Sequence, residues 1–144
     1  MLKETVIKYW DDKYDLNCAE CLIYASNEEY DLNLSKDALK TMAAFGGGMA
    51  IGDVCGVISG AIAVIGIMFT DISGHKSPIV KEMTTDFINK FKNKLGSNNC
   101  IELRKEYRKS KKEGTCIVMV ETAADILESI VKRDDNYKLD SNKY

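Results

Sequence analysis

The sequence predicts an all-α fold: a compact single-domain bundle of about five to six helices around a buried apolar central helix at about 54–69. Three observations carry this. Apolar residues recur at helical spacing along most of the chain, and no stretch alternates apolar and polar for long enough to make a strand. Pro78 is the single proline, so long helices can run unbroken. The chain has 144 residues, 45% of them hydrophobic, which is the size of one ordinary domain able to bury most of its apolar surface without covalent staples. The domain is expected to cover 1–133. Residues 134–144, DDNYKLDSNKY, carry no apolar period and are expected to form a flexible C-terminal tail.

The first helix is expected over about 2–14, with Val6, Ile7 and Trp10 as its apolar side. Asn17 is a good N-cap for the second, with Glu20 at N3 to close a capping box, and this helix should run to about Tyr30. Ser35 caps the next, where Leu39, Met42 and Ala43 share a face before Gly46-Gly47-Gly48. No strand precedes that glycine run and no Lys-Ser or Lys-Thr follows it, so it reads as a helix-to-helix turn rather than a phosphate loop.

Residues 54–70, VCGVISGAIAVIGIMFT, are uncharged throughout and about 25 Å long as a helix, slightly short for a membrane span. Asp53 is the expected cap, and Gly56 and Gly60 form a GxxxG that permits close helix packing. A helix apolar on all sides must be surrounded, so this one is expected to be the hub of the fold rather than a membrane helix. Ser77-Pro78 supplies an N-cap and an N1 proline for a helix that Gly96 stops. Asn99 caps a short helix to about Lys109, KSKKEG is loop, and Thr115 caps the last helix, where Ile117, Val120, Ala124, Leu127 and Val131 repeat at helical spacing.

Composition narrows the function. A net charge of -2 and a pI near 5.5 give no electrostatic basis for binding nucleic acid. The charged N-terminus, MLKETVIKYWDDKYD, lacks the apolar stretch of a secretory signal, which places the protein in the cytoplasm. Thiols there are kept reduced, so five cysteines point to catalysis, redox sensing or metal binding more than to structural bridges. His75, the single histidine, falls in a Gly-Ser loop and is expected in solvent, which leaves Cys/His and Ser/His/Asp catalysis without support. Glu20 and Asp53 are explained by capping, and Glu121 and Asp125 by a surface position. Tyr24, Met68, Phe69, Phe87 and Phe91 are expected to face the core.

The cysteines share a context. Cys18 follows Asn17, Cys55 lies two residues after Asp53, Cys100 follows Asn99 and Cys116 follows Thr115, so each comes just after a residue type preferred as a helix N-cap. A thiol in the first turn faces unsatisfied N–H groups and the positive end of the helix dipole, which favour the thiolate. The thiolate is the form that attacks disulfides and binds metals. Cys21 stands outside the pattern, one turn from Cys18 in LNCAEC; packing is the simpler role for it, a resolving thiol the alternative.

These four cysteines, in NCAE, GDVCGVISGAI, NNCIEL and GTCIVMVETAADIL, give the chain its resemblance to the C_GCAxxG_C_C family of small redox-active bacterial proteins, from about Asn17 to Val131. The stretch from Gly52 through Cys55 and Gly56 to Gly60 is similar to the family's glycine-cysteine core, with Val57 in place of alanine. The resemblance implies redox activity centred on Cys18, Cys55, Cys100 and Cys116, and leaves Cys21 outside the signature.

Three functions follow as expectations. The first is thiol–disulfide exchange or electron transfer by this distributed set, needing no cofactor and working with a redox partner protein or a small oxidant. The second takes the same four residues as ligands of Zn or of an iron–sulfur cluster, although no CxxC…CxxC spacing occurs among them. The third is an interaction module built on RKEYRKSKKEG at 104–114, whose nearness to Cys100 and Cys116 also allows it to stabilise thiolates or guide an acidic partner. A homodimer formed through the apolar hub is a further expectation.

Overall fold

The computed structural model describes residues 1–108 and 115–141, with side chains as far as 134. Among these residues are seven α-helices: α1 (Leu2–Tyr9), α2 (Cys18–Glu29), α3 (Lys36–Lys40), α4 (Gly56–Phe69), α5 (Pro78–Leu95), α6 (Cys100–Tyr107) and α7 (Ile117–Ser141). Five of them, α1, α2, α4, α5 and α7, pack on one another as the bundle, while α3 and α6 are short flanking pieces. The all-α expectation holds, and a single antiparallel bridge, Val54 with Asn99, is the one extended pairing among the described residues.

Local chemistry explains where the helices start and stop. The first ends at Tyr9, short of the expected 14. Asp11 takes the Lys13 N–H on its side chain (3.0 Å), and Asp15 sits in the left-handed region (φ 51°), so a separate 3₁₀ turn forms at Asp12–Tyr14. Leu2 and Val6 are its buried side, while Ile7, expected to be buried, is 45% exposed. In α2 the capping box forms as expected: Asn17 Oδ1 accepts from the Glu20 N–H at 2.8 Å and the Glu20 carboxylate accepts from the Asn17 N–H at 3.1 Å.

Ser35 caps α3, but that helix stops at Lys40 and a 3₁₀ turn, Ala43–Phe45, follows; Met42 is buried while Ala43 is exposed. Ser77 precedes Pro78 at the start of α5 without capping it; its hydroxyl accepts the Asp71 N–H at 2.9 Å. Asn99 caps α6 through the Glu102 N–H. The backbone of α7 is helical to Ser141, since each residue added to an established helix gains a hydrogen bond without a new nucleus. The expected 109–114 loop and residues 142–144 lie outside the described residues.

Helix α4 is the hub, packed against α2, α5 and α7. Val57, Ile58, Ala61, Val64 and Ile65 are buried on it, each large aliphatic contributing on the order of 1.5–3 kcal/mol. It is not enclosed on all sides: Ile67 is 40% exposed, and Ile62 and Ala63 are half-buried. Gly60 lets α2 and α4 approach closely, since a Cβ there would lie 2.7 Å from the Ala19 carbonyl oxygen. Phe87 and Phe91 from α5 and Val120, Ala124, Leu127 and Val131 from α7 complete the core. Among the described residues no helix is long and apolar enough to cross a membrane.

Candidate functional site

Two short segments bring the cysteines together. Around the bridge of Val54 and Asn99, the Cys55 N–H donates to the Asn98 carbonyl (2.9 Å) and the Cys100 N–H donates to the Asp53 carbonyl (2.6 Å). This antiparallel pairing fixes the start of α4 beside the start of α6. It also corrects the expected role of Asp53: its carbonyl holds α6, while Cys55 itself is the N-cap of α4. Cys18 and Cys100 occupy the first position of their helices, and the Cys116 carbonyl accepts the Val120 N–H at 3.0 Å, so Cys116 stands at the cap position of α7. Thr115 lies one residue before it, where its hydroxyl accepts the Ile117 N–H at 3.3 Å.

The second segment is the glycine run, which does more than turn the chain. Asn17 Nδ2 donates to the Ala43 carbonyl (2.9 Å), tying the start of α2 to the loop, and a Cβ on Gly46 would lie 2.5 Å from the Asn17 side chain. The Gly47 amide is near enough to the Cys18 thiol to favour its ionised form. A Cβ on Gly48 would lie 2.7 Å from Cys100 Cβ and 2.5 Å from the Asp53 nitrogen. Gly47, Gly48, Met49 and Ala50 all have φ between 58° and 63°, a left-handed turn closed by the Asp53 N–H on the Gly48 carbonyl at 3.0 Å. Met49 and Ala50 are L-residues in that region and each costs about 1 kcal/mol or more, strain of the kind that gathers at functional sites.

The result is a cavity of about 260 Å³ lined by Cys18, Cys55, Cys100 and Cys116 together with Trp10, Asn17, Gly47, Leu103, Arg104, Arg108 and Met119. Cys18, Cys55 and Cys100 are 8%, 4% and 5% exposed, and Cys116 is half-buried. Each thiolate would oppose ionisation of its neighbours: Cys55 feels Cys18, Cys100 and Cys116; Cys116 feels Cys18 and Cys100; Cys18 feels Cys100. Cys21 is elsewhere, fully buried with its thiol donating to the Val6 carbonyl at 3.4 Å.

The expected acidification of the thiols is overturned. Burial raises Cys18 and Cys116 above the ordinary thiol value and drives Cys55 up to about 12; the Gly47 and Val57 amides pull Cys18 and Cys55 only part of the way back. At Cys18 and Cys55 desolvation outweighs the helix N-terminus because those residues have almost no contact with solvent. At Cys116 cations pull the value down, first Arg108 and then Arg104. These two follow Cys100 at four-residue steps, Arg104 within α6 and Arg108 at its C-cap.

Among the described residues no group of three or more His, Cys, Asp or Glu side chains is placed to hold a metal ion. The four thiols thus share a cavity without closing into a ligand set.

The four expected cysteines are all at this cavity. Trp10, Leu103 and Met119 were not anticipated there, since nothing in their spacing separates a cavity wall from a core position. His75 is exposed, as expected. Lys109, Lys111 and Lys112 of the basic stretch lie outside the described residues.

No characterised protein and no solved structure shows a significant match to this chain. A family model does match, over residues 16–130, a span containing all four cavity cysteines and the glycine run: the chain belongs to the family described as "Putative redox-active protein (C_GCAxxG_C_C)".

Proposed function

We propose that the protein carries out thiol–disulfide redox chemistry with Cys18, Cys55, Cys100 and Cys116 as one set. The observation that carries this is the meeting of four thiols from four helix starts at a single cavity, with the fifth cysteine excluded from it. Cys116 is the attacking thiol, because it is the most accessible of the four and the one favoured by Arg104 and Arg108. A thiol held protonated by burial reacts slowly until it loses its proton, so alkylation of Cys116 should accelerate as pH rises through and beyond the ordinary thiol value of 9.0. A neighbouring cavity thiol then resolves the mixed disulfide.

The test is an anaerobic redox titration of the purified protein against a dithiothreitol couple, with oxidised thiols counted by alkylation and mass spectrometry. The expected result is that Cys18→Ser and Cys55→Ser each remove a reversible disulfide, while Cys21→Ser titrates like the parent. Loss of the transition in both Cys18→Ser and Cys21→Ser, with survival in Cys55→Ser, would return the chemistry to the local CxxC pair.

A further inference from the structure

Next to the thiol cavity lies a second, open cavity of about 400 Å³, lined by Ile101, Arg104, Lys105 and Arg108. Arg104 and Arg108 line both, so the two spaces share a wall of guanidinium groups. The arrangement is asymmetric. The inner space is smaller and lined by the thiols with Trp10, Leu103 and Met119; the outer one is roomier and, among the described residues, is lined by three cationic side chains and one aliphatic.

Resting on the thiol–disulfide reading above, we propose that the substrate is a low-molecular-weight disulfide bearing carboxylates, with its sulfurs in the inner cavity and its anionic groups on Arg104, Lys105 and Arg108. Three of the four sulfurs are at most 8% exposed, and a space of about 260 Å³ admits a small group, whereas a disulfide held in a folded protein surface cannot be thrust into it. Guanidinium groups match carboxylates in planar, two-bonded geometry, and a cleft of one sign concentrates ligands of the other.

In the first step a cavity thiolate attacks one sulfur of RSSR; a protein S–SR bond forms, the RS–SR bond breaks and RS⁻ leaves. A second cavity thiolate attacks the cysteine sulfur of this mixed disulfide, closing a protein disulfide and releasing the second RS⁻. The two protons given up by the protein thiols end on the two products. In sum, two protein thiols are oxidised to one disulfide and RSSR is reduced to two RSH.

The experiment measures second-order rate constants for oxidation of the fully reduced, full-length protein by three aliphatic disulfides of similar size: 3,3′-dithiodipropionate (dianionic), 2-hydroxyethyl disulfide (neutral) and cystamine (dicationic). The expected order is dianionic, then neutral, then dicationic, with about tenfold between the first and second at low salt and the gap narrowing as salt is added. Arg104→Glu combined with Lys105→Glu, both exposed positions on α6, should invert the order, and Arg104→Lys should keep it. Equal rates for the three disulfides, or an order that survives the charge reversal, would overturn the substrate assignment and leave the redox reading standing. Failure of all three to oxidise the cavity thiols would overturn the redox reading itself. A disulfide-bonded acidic protein that oxidises the chain faster than dithiodipropionate would assign the cationic cavity to a macromolecular partner instead.

Discussion

The two ends of α4 are built to different rules. At its start, Gly56 lies so close to α2 that a Cβ would sit 2.5 Å from Cys18 Sγ and 3.1 Å from the Phe45 carbonyl oxygen, and one turn later Gly60 presses on Ala19 and Leu22. At its far end, Gly66 has nothing within 4 Å of where a Cβ would be, and Ile67 is 40% exposed. Glycine at the first end is space kept for a thiol and a neighbouring backbone; at the second it is only a helix-weakening residue. The tight end is the one at the thiol cavity.

Three substitutions on this one helix separate the ends. Gly60→Ala and Gly56→Ala should each lower stability in urea melts by about 1–3 kcal/mol, because α2 has to move away from a carbonyl in one case and from a sulfur in the other. Adding Cys18→Ala to Gly56→Ala should recover part of the second loss, a coupling of about 0.5–3 kcal/mol that a double-mutant cycle reads directly. Gly66→Ala should act in the opposite direction and raise stability by up to about 1 kcal/mol. A destabilised Gly66→Ala, or a neutral Gly56→Ala, would remove the contrast.

A separate effect, confined to alkaline pH, belongs to the buried thiols. Burial drives both Cys21 and Cys55 up to about 12 from the ordinary 9.0. The folded chain therefore keeps protons that the unfolded chain gives up above pH 9, and stability falls as pH rises from about 9 towards 12. Cys21→Ala should flatten part of that fall in chemical melts recorded across this range, whatever its packing cost at pH 7. The smallest change is expected at the left-handed turn, where Ala50→Gly should relieve strain and raise stability by less than about 1 kcal/mol.

Helix starts were readable wherever a side chain settles them locally. Asn17 with Glu20, Ser35 and Asn99 all cap as their spacing indicates, because capping is decided within four residues. Asp53 misleads because its carbonyl is committed to the Cys100 N–H, 47 positions away, which no local pattern records. The glycine run shows the same limit. Gly46-Gly47-Gly48 looks like a turn from sequence and is one, yet its contacts with Asn17, Cys18 and Cys100 arise only when three segments meet. The recurrence of cysteine at helix starts pointed to one set, but the expected acidity did not follow, since burial depends on the whole fold and a helix terminus is a local property.

The central claim is that Cys18 belongs with three distant cysteines and not with Cys21 one turn away. Disulfide mapping by mass spectrometry, after mild oxidation of the reduced parent protein, tests it most directly. The account predicts disulfides only among Cys18, Cys55, Cys100 and Cys116, with Cys21 recovered as a free thiol. A Cys18–Cys21 disulfide as the main product would contradict it.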